Sequence, residues 1–396
     1  MYPTWLKVIV CSCLLVCVIQ LRAGDSLVMR KLLQRIEQLQ VKDNSVFPAG
    51  SFPSYRTYAL NKDRQKADVN PFFTGLIAFT LREIQADLSP GLQEAAARII
   101  GNTLPAFGKF RNRTGRPTYN FWPTDTPAIF PNGGWLNLFN RSQALPDDLD
   151  DTGIILMATA ADSAAAAKAH DIMQEFTNNG KRPVKNTFSK YRKIGAYSTW
   201  FGKKMPVDFD ICVLSNVLYM VQHYRLRWTA ADSASLELIT NIIADKKHTE
   251  APSYVSPHYG SIPIILYHIS RLMLAAPLPA LEKYRPQLIA EAKTYLAHTK
   301  NFADQVLLGT TLLRWGVQSD TSWTHITTSF HRLVEDESFS FFIANMASML
   351  PDPLKKWLGS TGAGKFYYYC PAYNNLLLLE YLALQKRMAL TLRKTQ

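Results

Sequence analysis

The sequence predicts an all-α protein: a single domain built as an (α/α)6 toroid, a closed ring of six helical hairpins, behind an N-terminal leader. Three observations point there. Apolar residues recur at helical spacing through most of the 396 residues. Runs of alternating Val, Ile or Thr between hairpin turns are missing. Six segments, beginning at Phe72, Asp151, Phe209, Ile262, Phe302 and Tyr373, repeat one pattern of a polar or aromatic start and then an apolar stretch. Most are followed by a more charged partner. An apolar helix buried on all sides, alternating with an amphipathic one, suits six inner helices sheathed by six outer ones. A solenoid would need a more regular period and polar caps.

Residues 1–24 have the layout of a secretory signal: Lys7 near the start, an apolar run from Val8 to Leu21, and small Ala23-Gly24 at the cut. The run is shorter than the ~20 residues of a membrane-spanning helix. The expectation is a secreted or periplasmic protein, or one anchored to the membrane if the leader is retained. Residues 25–70 read as an amphipathic helix, Leu27–Val41, with Leu32, Leu33, Ile36 and Leu39 on its apolar face, and a Pro/Ser/Tyr-rich connector, Phe47–Tyr58. The toroid then occupies 71–396. Its helices are expected at Phe72–Gln85, Leu92–Leu104, Asp151–Ala161, Ala164–Asn178, Phe209–Tyr224, Ala231–Lys246, Ile262–Leu274, Ala280–His298, Phe302–Trp315, Ser322–Val334 and Tyr373–Leu392. A long non-helical insert, 109–147, carries Tyr119, Phe121, Trp122, Trp135 and Phe139 and has the length of a lid or binding loop.

Composition excludes some functions. The net charge of +13 is spread along the chain, without basic runs, zinc-type Cys/His spacing or RNA-binding signatures, so no nucleic-acid partner is expected. Three of the five cysteines fall in the leader; Cys212 and Cys370 sit among apolar residues and read as buried thiols, with one long-range disulfide between them as the alternative in an exported protein. Gly359–Lys365 has the glycine and lysine spacing of a phosphate loop, but Phe366 replaces the required Ser/Thr, so it reads as a turn. Phe366–Tyr369 reads as an aromatic plug for the ring's mouth or as the lining of a sugar or lipid groove.

The strongest local signal is Pro146-Asp147-Asp148-Leu149-Asp150-Asp151-Thr152, running into an apolar helix. Carboxylates this close repel one another, and a helix N-terminus offsets that for one or two of them. Two chemistries use such a cluster. Close carboxyls can share protons, so that one stays protonated as a general acid. Alternatively Asp147, Asp148 and Asp151 ligate a divalent cation such as Mg²⁺ or Ca²⁺ through oxygen. No other cofactor is expected. The starts of other inner helices supply further candidates: Asp208 and Asp210 before Ile211, and His258-Tyr259 before Ile262. A buried Arg271 would need a carboxylate partner.

Asp148-Leu149-Asp150-Asp151-Thr152 resembles the acid motif of class II terpene cyclases of the squalene–hopene cyclase type, members of the terpenoid cyclase-like superfamily. The resemblance implies (α/α)6 rings, Asp150 as the acid that protonates an alkene or epoxide, and Asp148 and Asp151 as residues that orient or polarise it. It also implies that aromatic side chains stabilise the carbocation, for which Tyr119, Phe121, Trp122 and Trp135 are available. The small-molecule partner would be an isoprenoid lipid, with peripheral membrane association. The alternatives are a carbohydrate-active (α/α)6 enzyme acting on a glycan with two carboxylates and stacked aromatics, and a non-catalytic ring that binds a ligand at its mouth.

Overall fold

The computed structural model describes residues 26–125, 146–178, 184–202, 205–318, 330–359 and 361–394. Trp135, the leader and most of the predicted helix 322–334 therefore lie outside the described residues. Eleven longer helices account for most of the rest: α1 (26–39), α2 (Phe72–Ile84), α3 (Pro90–Thr103), α4 (Leu149–Ala158), α5 (Ser163–Met173), α6 (Ile211–His223), α7 (Ala230–Ala244), α8 (Ile262–Ala275), α9 (Arg285–His298), α10 (Phe302–Arg314) and α11 (Pro371–Lys394). The protein is mainly helical, as expected.

Six of these helices pack in succession. α2 lies on α4, α4 on α6, α6 on α8, α8 on α10, α10 on α11, and α11 returns to α2. Their composition explains the arrangement. Every residue of α4 is buried, as are Ile211 through Val221 of α6 and Ile264 through Met273 of α8, so these helices can present no face to water. The partners α3, α7 and α9 pack on α2, α6 and α10 respectively, and α9 buries only Leu288 and Ala292. Close approach needs small residues at the contact. A Cβ on Gly75 of α2 would stand 2.9 Å from Ile154 of α4, closer than side chains pack.

The expectation of an all-α chain is corrected by a four-stranded antiparallel sheet of order β2-β1-β4-β3, formed by β1 (Tyr55–Tyr58), β2 (Asn61–Ala67), β3 (Phe342–Asn345) and β4 (Lys365–Tyr369). β1 belongs to the segment read as a connector, and β4 is the aromatic run read as a plug. Tyr and Phe favour strands, but these are too short and too aromatic to show an alternating pattern. Tyr55 pairs with Tyr369, a partner more than three hundred positions away that no local signal announces. A second correction is the predicted helix 280–298, which breaks into Pro279–Glu282 and Arg285–His298. Pro286, with no N–H to donate, stands in the first turn of the second piece. Cys212 and Cys370 are buried free thiols. Among the described residues no helix is long and apolar enough to cross a membrane.

Candidate functional site

The N-terminal ends of α4, α6 and α8 meet beside the outer edge of β3, whose Ile343 amide donates to the His258 carbonyl at 2.8 Å, and nearly every side chain there is buried. Asp148 caps α4: its Oδ1 accepts from the amides of Asp150 (2.7 Å) and Asp151 (2.9 Å). Asp150, in the first turn, points to the neighbouring helices. Its Oδ1 accepts from Asn216 Nδ2 of α6 at 2.6 Å, and its Oδ2 accepts from the Tyr259 hydroxyl. The Oδ1 of Asn216 is in turn held by Arg271 Nη2 of α8, so a chain of donors runs from a buried guanidinium to Asp150. Asp151 is 1% exposed and neither of its oxygens has a hydrogen-bond partner among the described residues.

Asp210 caps α6 and is saturated with donors. Oδ1 accepts from the amides of Cys212 (2.8 Å) and Val213 (3.3 Å) and from Ser256 Oγ (2.7 Å), and Oδ2 accepts from the amide of His258 (2.8 Å). Asp208 Oδ2 accepts from Ser348 Oγ (2.7 Å) and from His258 Nε2 (3.1 Å). The other ring nitrogen of His258 donates to the Ile343 carbonyl on β3 at 3.3 Å. Both nitrogens face acceptors, so both carry protons and the ring is an imidazolium.

The electrostatics follow from burial set against these partners. Burial pushes Asp148 up to about 7, helped by the charge of Asp150. Burial likewise raises Asp150 to about 6, opposed by the donors Tyr259 and Asn216. Asp151 stands well above the ordinary carboxylate value, because burial and the charges of Asp148, Asp150 and Asp147 all act against ionisation. Burial works against a charged His258, but the hydrogen bond and charge of Asp208 outweigh it and hold the ring at about 9. Burial also acts against Asp208, yet the His258 imidazolium pulls it below its ordinary value. The positive ends of the three helices give further support to the negative charge.

The predicted site residues Asp148, Asp150, Asp151, Asp208, Asp210, His258 and Tyr259 are thus brought together. Tyr119 joins through its backbone, its carbonyl accepting from the Asp148 amide (3.0 Å) and its amide donating to Thr152 Oγ1 (3.0 Å). Trp122 is placed elsewhere: its Nε1 donates to Asp68 Oδ1 at 3.2 Å, in a buried group with Arg56 and Tyr368. The set considered for a cation is divided, with Asp147 Oδ2 accepting from Asn112 and Thr118 (both 2.5 Å) while Asp148 caps its helix. Among the described residues no three His, Cys, Asp or Glu side chains form a group that could hold a metal ion.

Sequence reasoning missed Asn216, Ser256 and Ser348, and gave Arg271 the wrong partner. Arg271 hydrogen-bonds an amide rather than a carboxylate, because Asn216 stands between it and Asp150. The one local signal was Ser215-Asn216, a polar pair inside an otherwise apolar helix. Around Tyr259 the site is aromatic: Phe72 at 6.3 Å, Phe341 at 5.8 Å and Phe342 at 5.9 Å between ring centroids, with Phe121 packed on Phe342 at 5.4 Å. Comparison with family models, with curated proteins and with solved structures finds no match for this chain.

Proposed function

We propose that this chain is an exported, single-domain (α/α)6 toroid that starts the cyclisation of an isoprenoid by protonating it from the Asp148–Asp150–Asp151 cluster. The closed succession α2, α4, α6, α8, α10, α11 supports the toroid, with the cluster at the N-terminal mouth of its inner helices. Residues 1–24 would direct export, whether they are removed or kept as an anchor.

One observation carries the catalytic reading. Asp150 is 3% exposed and raised to about 6, held by Asn216 and Tyr259 beside a cage of aromatic rings. A carboxyl shielded from water can deliver a proton to a carbon–carbon double bond, where an exposed one would deliver it to solvent. The O–H bond breaks, a C–H bond forms from the π pair, and positive charge appears on the substrate. Phe72, Phe342, Phe341 and Tyr259 would offer that charge their ring faces. Asp208, held ionised by the His258 imidazolium, would supply compensating negative charge, and Asp148 would orient the first turn that carries Asp150.

The burial of all five carboxyls favours this reading over a glycan-active one, which needs two carboxyls facing an open cleft. The test incubates the protein and its Asp150→Asn variant with squalene, a polyprenol panel and, in parallel, a glycan panel. A cyclised product that disappears in the variant is expected, with a rate that rises as pH falls through about 6, where Asp150 takes up its proton. Glycan turnover lost in the variant would move the protein to the sugar class. Inertness towards both panels, with the variant folded, would remove the enzyme claim.

A further inference from the structure

We infer that the interior of the protein recognises a hydroxyl group on an otherwise apolar ligand, through Arg271 and His268 on one face of α8. Resting on the isoprenoid reading above, this narrows the substrate class to terpenoid alcohols.

His268 and Arg271 are three residues apart, so their side chains leave the helix in the same direction. Both are buried, at 1% and 4% exposure. His268 Nδ1 donates to the Ile264 carbonyl one turn earlier at 2.8 Å. Burial and the nearby Arg271 charge push the ring well below its ordinary value, so it is neutral. Its Nε2 is then a bare lone pair, with no hydrogen-bond partner among the described residues. Arg271 Nη2 donates to Asn216, while Nη1 is a buried donor with no partner among the described residues.

A buried donor and a buried acceptor three residues apart on one helix face, neither bonded to the other, would both be satisfied by one small polar group between them. That group must accept from a guanidinium and donate to an imidazole. A hydroxyl does both. A phosphate or carboxylate would satisfy Arg271 but set its lone pairs against the lone pair of His268, and a hydrocarbon would satisfy neither. The surroundings are apolar and aromatic: the Arg271 guanidinium lies over Phe79 (5.3 Å) and Tyr267 (5.5 Å), and His268 packs on Tyr259 (4.5 Å) and Phe341 (5.5 Å). Through Asn216, the same arginine touches the Asp150 network, so a ligand held by its hydroxyl would lie beside the acid.

The test is a direct binding measurement on the full chain with three probes of one carbon skeleton: geranylgeraniol, its phosphate, and the hydrocarbon lacking the oxygen. Expected is roughly tenfold or tighter binding of the alcohol over the hydrocarbon, the effect of one buried hydrogen-bonding pair left unmet. His268→Leu, which replaces an unpartnered nitrogen by carbon, should keep the melting temperature and erase the preference. His268→Gln, which restores an acceptor, should recover part of it. Equal affinity for alcohol and hydrocarbon would mean that a bridging water suffices, and tighter binding of the phosphate would mean that Arg271 reads charge alone; either overturns the inference. Binding does not depend on turnover. An alcohol that is bound selectively but never cyclised would sink the cyclase reading and leave this one standing.

Discussion

His258 shows how little a residue's identity says before its neighbours are known. In the sequence it is a histidine in a loop between helices; in the fold it lies between Asp208 and the Ile343 carbonyl and carries a positive charge into a buried site. That charge makes stability depend on pH. Because the folded value, about 9, exceeds the ordinary 6.5, the stabilisation is complete below 6.5 and is lost as pH rises through 9. The raised values of Asp148 and Asp150 act in the same direction at lower pH, since their burial favours the folded state only while they are protonated. The melting temperature should therefore fall across the window from 6.5 to 9, and His258→Gln should lower it overall while flattening that slope. A slope of equal steepness in the variant would assign the titration to other groups.

Helix starts do most of the positioning. α4 and α6 each begin at an aspartate whose side chain takes two backbone amides, a preference the sequence shows through Asp preceding an apolar run. What the sequence does not show is that Asp210 also takes Ser256 and the His258 amide, tying the start of α6 to the loop before α8. Asp210→Ala leaves four buried donors unmet, two of them from outside the helix. It should cost about 2–4 kcal/mol in denaturant unfolding, above the ~1 kcal/mol of an ordinary cap. A loss near 1 kcal/mol would mean that the loop bonds contribute little. The strands are the counter-example among elements: β3 and β4 gain their identity from pairing with each other and with β1, and no repeat within either one announces it.

At the scale of the whole molecule, the six apolar helices need polar contacts that fix their order, because one apolar face packs on another with little preference. Arg314 of α10 supplies one such contact. It pairs with Glu380 of α11 and donates to the Tyr267 carbonyl of α8 at 2.9 Å, while the Tyr267 hydroxyl donates to Glu380 at 2.7 Å. The pair is almost wholly buried, with side-chain exposures of 3% and 4%. Removing one partner strands the other charge in the core, so Arg314→Met should destabilise by about 3–5 kcal/mol. Arg314→Met combined with Glu380→Met should recover most of that loss. A double variant as unstable as the single one would show that the pair contributes more than mutual neutralisation.

Read by itself, the sequence determined the helices and the candidate acids. Helical periodicity marked nearly every long helix to within a few residues, because a helix buried on all sides must be apolar on all sides, and that property belongs to a single segment. The density of Asp before α4 marked the site for a similar local reason: repulsion makes such a run costly without compensation. The tertiary structure alone decided which carboxyl is hydrogen-bonded and which is bare, that Asn216 stands between Arg271 and Asp150, and that β1 near the start of the chain pairs with β4 near its end. Those outcomes depend on distances between residues far apart in sequence, and protonation follows from the dielectric and donors at one point in space, which no window of sequence contains.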